Sequence, residues 1–196
     1  MGSLELAFYF YAPENYELIF DLEKFLPLLV VSLLLLPIQT SFEEIFFRGY
    51  LMQGIGLISR FKWIPLLVTS ILFGLLHMAN PEVAEFGVWT MAAYYIGIGL
   101  GLGICTIMDD GLEIALGLHA VNNLFASLVL TFDGSALATS AIFKTKIYDP
   151  QSMLVGWIIG LLLFLFILSR KYNWGSWGKL VEPITRKSEE IVEEGM

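Results

Sequence analysis

The stretch from Gln39 to Leu51, QTSFEEIFFRGYL, sets Glu43, Glu44 and Arg48 between apolar runs, Phe25 to Leu36 before it and Ile45 to Leu57 within and after it. An ionised side chain at the centre of a membrane helix costs about 3 kcal/mol on insertion scales. A chain that places three such groups together must give them partners, a use, or both. Glu44 and Arg48 are four apart and share a helix face, with the glutamate N-terminal to the base, the favourable order for an ion pair. Glu43 points about 100° away from that pair. The spacing therefore predicts a structural Glu44–Arg48 pair and a Glu43 that faces something else.

Composition fixes the medium. Of 196 residues, 57% are hydrophobic and only 15% charged, with mean hydropathy +0.72. A soluble domain carries about 25% charged residues, so this reads as an integral, multi-pass membrane protein. The net charge of −8 comes largely from ends and loops. Without a basic stripe or stacking platform, nucleic acid is excluded as a partner; the lipid bilayer is an obligatory one. Cys105 is the single cysteine and lies in an apolar run, which rules out an internal disulfide and suggests a packing role.

In chain order, residues 1–24 read as an interfacial segment, with Phe8, Tyr9, Phe10 and Tyr11 suited to a membrane–water boundary. Residues 25–170 read as the core and 171–196 as a charged, solvated cytoplasmic tail. About five spans are predicted: Phe25 to Leu57, kinked at Pro37; Trp63 to Ala79, stopped by Asn80-Pro81; Phe86 to Met108; Leu112 to Phe132; and Met153 to Ser169. The third holds two small-xxx-small pairs, Gly97/Gly101 and Gly99/Gly103, which permit close helix contact. The expected fold class is all-α, a polytopic helical bundle around a polar intramembrane cavity. Arg60, Lys62, Arg170, Lys171, Lys179, Arg186 and Lys187 fall on one side, and Lys24, Lys144 and Lys146 on the other. The richer side is expected to be cytoplasmic.

Both histidines fall inside spans, His77 in the second and His119 in the fourth. Helix arithmetic at 1.5 Å per residue puts Glu43 and His77 each about 20 Å from the first hairpin turn, and so at one level. His119 and Asn123 share a face, with Asn122 adjacent and read as helix–helix glue. A carboxylate near an imidazole can take a proton from water. A second imidazole and an amide can stabilise the oxyanion formed when that water attacks a peptide carbonyl. The alternative is a zinc set of Glu43, His77 and His119 with one open position; these residues alone do not separate the two. There is no HExxH and no Gly-x-Gly-Asp.

Three motifs now stand in order on hydrophobic helices. Glu43-Glu44-Ile-Phe-Phe-Arg48 resembles EExxxR, Phe73-Gly-Leu-Leu-His77 resembles FxxxH, and His119-Ala-Val-Asn-Asn123 resembles HxxxN. Together, over about Leu26 to Leu130, they resemble the CAAX protease and bacteriocin-processing family of intramembrane endopeptidases. The resemblance implies a conical cavity open to the cytosol, placing the active site on the cytoplasmic side. It implies that Glu43 and His77 activate water, and that His119 and Asn123 form the oxyanion site without a metal cofactor. The substrate implied is a membrane-associated peptide or protein, CAAX-like or a leader peptide. Family members carry further spans upstream of this core. Two other readings fit the same polar helices: a non-catalytic immunity or scaffold protein of the same fold, and a transporter with a Glu–His path, for which no repeat symmetry is present.

Overall fold

A computed structural model describes residues 9–10, 12–145 and 149–184. Phe8, Tyr11, Lys146, Arg186, Lys187 and the rest of the tail beyond 184 lie outside them. The first element after a short strand β1 (Tyr16–Leu18) is one long helix, α1 (Leu22–Ile58). It is followed by α2 (Trp63–Leu76), a short α3 (Pro81–Phe86), α4 (Val88–Asp109) and α5 (Glu113–Leu128). Then come β2 (Leu130–Thr131), β3 (Phe143–Thr145) and α6 (Pro150–Lys171). β3 is central in a small sheet, antiparallel to β1 with Glu17 opposite Lys144 and parallel to β2 with Leu130 opposite Phe143.

α1 is inside-out relative to a helix in water. Its buried residues include Ser32, Thr40, Glu44 and Arg48, whereas Val30, Leu33, Leu34, Leu35, Ile38 and Phe42 are exposed. α6 likewise presents Val155, Ile159, Leu162 and Phe166 outward. This is the pattern of a helical membrane bundle, with apolar side chains toward lipid and polar groups satisfied inside. Of the five expected spans, α1, α4 and α6 are long and apolar enough to cross a bilayer. α2 and α5 are shorter, because α2 breaks into a 3-10 turn at His77–Ala79 and α5 ends at Leu128. Irregular backbone at membrane depth is tolerated where it lines a cavity, and the break after α2 does so through His77 and Asn80.

The two glycine pairs of α4 face different neighbours. A Cβ on Gly99 would sit 2.9 Å from Ser70 Cα, and one on Gly103 2.5 Å from a Leu66 methyl, both on α2. On the other face, Gly97 and Gly101 lie against Trp157 and Leu161 of α6. Substituting Gly99→Val should therefore force α2 from α4 and lower stability by about 1–3 kcal/mol. The check is thermal unfolding in detergent against Gly117→Ala, where nothing lies within 4 Å; equal midpoints would contradict this close packing.

Asp21 and Asp149 cap α1 and α6 through backbone N–H groups. Hydrogen bonding with Lys24 holds the Asp21 carboxyl below the usual carboxylate range, and Ser152 does the same for Asp149. Because both folded values are depressed, what they contribute is present at neutral pH and lost as pH falls through the carboxyl range.

The bundle has two distinct ends. At the turn end lie the α1–α2 and α4–α5 turns. The C-terminal segment docks there as far as Ile184. Trp174 Nε1 donates to Asp109 (3.0 Å), Lys179 pairs with Asp110 (2.5 Å) and Lys62 with Glu182 (3.1 Å), and Ile184 N–H donates to the Arg60 carbonyl. At the loop end lie the sheet, α3 and the connection from β2 to α6.

Candidate active site

Within α1, residues Ile45–Leu51 form a π-helical turn that contains Arg48. Such wider turns inside α-helices frequently accompany functional sites. Arg48 is wholly enclosed. Its Nη1 donates to Glu44 Oε1 at 3.0 Å and its Nη2 to the Gly99 carbonyl at 3.0 Å, and its guanidinium lies 4.7 Å over the Phe73 ring. Gly99 turns its missing side chain toward Ser70 of α2 while its carbonyl takes that bond from α1.

Glu44 Oε1 also receives His119 Nδ1 from α5, at 2.6 Å. One oxygen thus joins the ion pair to an imidazole. With Nδ1–H donated to Glu44, His119 turns its Nε2 toward Glu43, 3.8 Å from Oε2. Glu43 Oε1 accepts from Gln39, one turn earlier on α1, while Oε2 has no hydrogen-bond partner among the described residues.

His77 is fixed by the way α2 ends. Its backbone N–H turns to Gly74 and Leu75 rather than Phe73, and the freed Phe73 carbonyl lies 2.7 Å from His77 Nδ1. The ring can then donate from Nδ1 and keep Nε2 as an acceptor. The Phe73 ring packs on both imidazoles, 4.4 Å from His77 and 5.8 Å from His119. Asn123 Oδ1 is engaged by Asn122 at 3.4 Å, which leaves the Asn123 amide N–H groups for other acceptors.

Glu43, His77, His119 and Asn123 all line one cavity of about 750 Å³, together with Asn122, Asn80, Glu82 and Tyr95. No direct hydrogen bond joins Glu43 to His77 among the described residues; the imidazole in closest register with Glu43 is His119. Nor do three His, Cys, Asp or Glu side chains converge as a metal-holding group among the described residues. No step below runs through a metal, and a zinc held by Glu43, His77 and His119 is tested by the chelator arm of the experiment below.

Motif reading did not single out Gln39, Asn80, Glu82 or Tyr95, and it treated Asn122 as packing. Gln39 had a signal, since it stands four residues before Glu43. Glu82 and Tyr95 had none, because helix packing alone brings them to the cavity.

A family model described as type II CAAX prenyl endopeptidase Rce1-like matches residues 23–125, just over half of the chain. The chain belongs to this family. The Rce1-like match takes in α1 through most of α5 and includes every residue of the three motifs. An uncharacterized protein of Bacillus subtilis (strain 168), YyaK, is 38% identical over 132 residues, which is 67% of this chain and 44% of that protein. The chain thus spans less than half the length of this relative. No solved structure matches. Rce1-like proteins are a protease family, and this member is a helical membrane protein.

Proposed function

We propose that the chain forms the catalytic core of an intramembrane endopeptidase acting on a membrane-associated peptide, CAAX-like or a leader peptide. The observation that carries this reading is the convergence of Glu43, His77, His119 and Asn123 on one cavity. Glu43 Oε2 takes a proton from water while His77 Nε2 accepts the other hydrogen bond of that water. The water oxygen bonds to the scissile carbonyl carbon. The resulting oxyanion is met by Asn123 Nδ2 and by His119, which in its doubly protonated form donates Nδ1–H to Glu44 and Nε2–H to the oxyanion. As the C–N bond breaks, the proton held by Glu43 passes to the leaving amine. Glu44 and Arg48 hold His119 and α1 in place.

The test is incubation of the purified protein in liposomes with a farnesylated CAAX peptide and with an unprenylated leader peptide, in ¹⁸O-labelled water and with chelator present. Hydrolysis puts one ¹⁸O into the new carboxylate and continues in chelator. If neither peptide is cut, the non-catalytic scaffold reading gains.

Orientation is a second part of the proposal. The cavity is lined by Asn80, Glu82, Ser135, Ala136 and Leu137, all at the loop end. Among the described residues, Arg60, Lys62, Arg170, Lys171 and Lys179 stand at the turn end, against Lys24 and Lys144 at the loop end. Charge bias thus assigns the turn end to the cytoplasm and the loop end, with the cavity residues it carries, to the opposite face. That differs from the cytoplasmic-facing site implied by the family resemblance. For this chain we favour the charge bias. Asn80→Cys, in a Cys105→Ala background, should react with membrane-impermeant maleimide in intact cells. Labelling only after permeabilisation would return the loop end to the cytoplasmic side.

A further inference from the structure

Glu82, at the start of α3, is only 7% exposed. Its Oε1 accepts the Ala136 N–H at 2.7 Å, from the loop after β2. Its Oε2 has no partner among the described residues. A buried carboxylate left half-satisfied is expensive, and none of the reaction steps above uses this one. Glu82 lines the same cavity as Glu43 and the two histidines. It connects to them through few side chains: Tyr95 lies 4.8 Å from the His77 ring, accepts from Asn80 at 3.0 Å, and meets the Glu82 carboxylate both through charge and through its own hydroxyl. The cavity lining holds both carboxylates, Glu43 and Glu82, and neither lysine nor arginine.

We propose that Glu82 forms a subsite for a positively charged side chain of the peptide substrate, a few residues from the scissile bond. This deepens the proteolytic reading and rests on it. Oε2 has almost no exposed surface, so a ligand ammonium reaches it by turning the Glu82 carboxylate toward the cavity that the residue lines, and the charge-assisted hydrogen bond formed there meets little competition from solvent. A cationic donor offsets the negative charge of Glu82 best, and the cavity lining carries no lysine or arginine to supply one beside it. An extended peptide advances about 3.4 Å per residue, so a lysine or arginine near the reacting carbonyl reaches the distance spanned by the Tyr95 ring.

The test separates binding from cleavage. Glu43→Gln protein in detergent is titrated with palmitoylated fluorescent decapeptides of alanine and leucine. One lysine is moved through successive positions, and each peptide is compared with its acetyl-lysine counterpart. At one position lysine should bind about tenfold tighter than acetyl-lysine. Adding Glu82→Gln, which keeps an acceptor for Ala136 N–H, should bring the two within about twofold. The absence of a lysine preference at every position, including absence of binding, overturns the subsite. So does a preference that survives Glu82→Gln. If the preference holds but Glu43-intact protein cuts none of the bound peptides, the proteolytic reading fails and the subsite stands. Cleavage indifferent to lysine gives the reverse.

Discussion

Glu43→Gln should reduce peptide cleavage by about three orders of magnitude while leaving the thermal midpoint within about 2 °C of the parent. The two glutamates of the motif are not equivalent. Glu44 is committed to Arg48 and His119 through one oxygen, whereas Glu43 keeps Oε2 for the cavity. Glutamine fills the same volume and keeps a polar contact with Gln39, but it cannot take a proton from water. Single-turnover cleavage of a prenylated peptide, measured beside detergent unfolding, checks both halves. Retention of a tenth or more of the activity would remove Glu43 from the role of base. A large fall in midpoint would assign the residue to folding.

Glu44→Ala should behave in the opposite way on stability. It leaves an enclosed guanidinium with the Gly99 carbonyl, the Phe47 and Phe73 rings and the more distant Glu43 charge as its remaining partners among the described residues. Breaking one side of a buried pair costs about 3–5 kcal/mol. The companion variant Glu44→Leu with Arg48→Met removes both charges and should recover most of that loss, since an apolar pair of similar volume is well tolerated in such sites. Cleavage should not recover with it, because His119 Nδ1 has lost its acceptor. Denaturation midpoints of both variants, with turnover measured on each, separate the two duties of Glu44. A Glu44→Ala protein as stable as the parent would contradict the pairing, and a fully active double variant would detach His119 from Glu44.

Local spacing made part of this site legible in the sequence. Glu44 and Arg48 four apart, in an apolar run, already required an ion pair. The two glycine pairs announced close contacts, though not that α2 takes one pair and α6 the other. The His119–Glu44 bond depends on how α5 lies against α1, and no periodicity within either helix records that. The π-helical turn around Arg48 is equally silent, since one extra residue in a turn leaves the apolar run unchanged. Glu82 beside Asn80-Pro81 looked like an ordinary acid in a helix stop. Only the return of the chain at Ala136 reveals it as buried. An expected helix to Phe132 follows from Val129 to Phe132 being as apolar as the helix before it; α5 instead ends at Leu128, and Leu130 and Thr131 form β2.

The docked C-terminal segment makes the two ends of the bundle unequal. Both covalent turns joining the α1–α5 wall to the α2–α4 wall lie at one end, and Trp174, Lys179 and Glu182 brace those turns together. At the other end the walls meet only through side chains and loop: Glu82 accepts the Ala136 N–H, and the Phe86 and Phe132 rings touch. The turn end is thus closed by chain and ion pairs, and the loop end by contacts a substitution can cut singly.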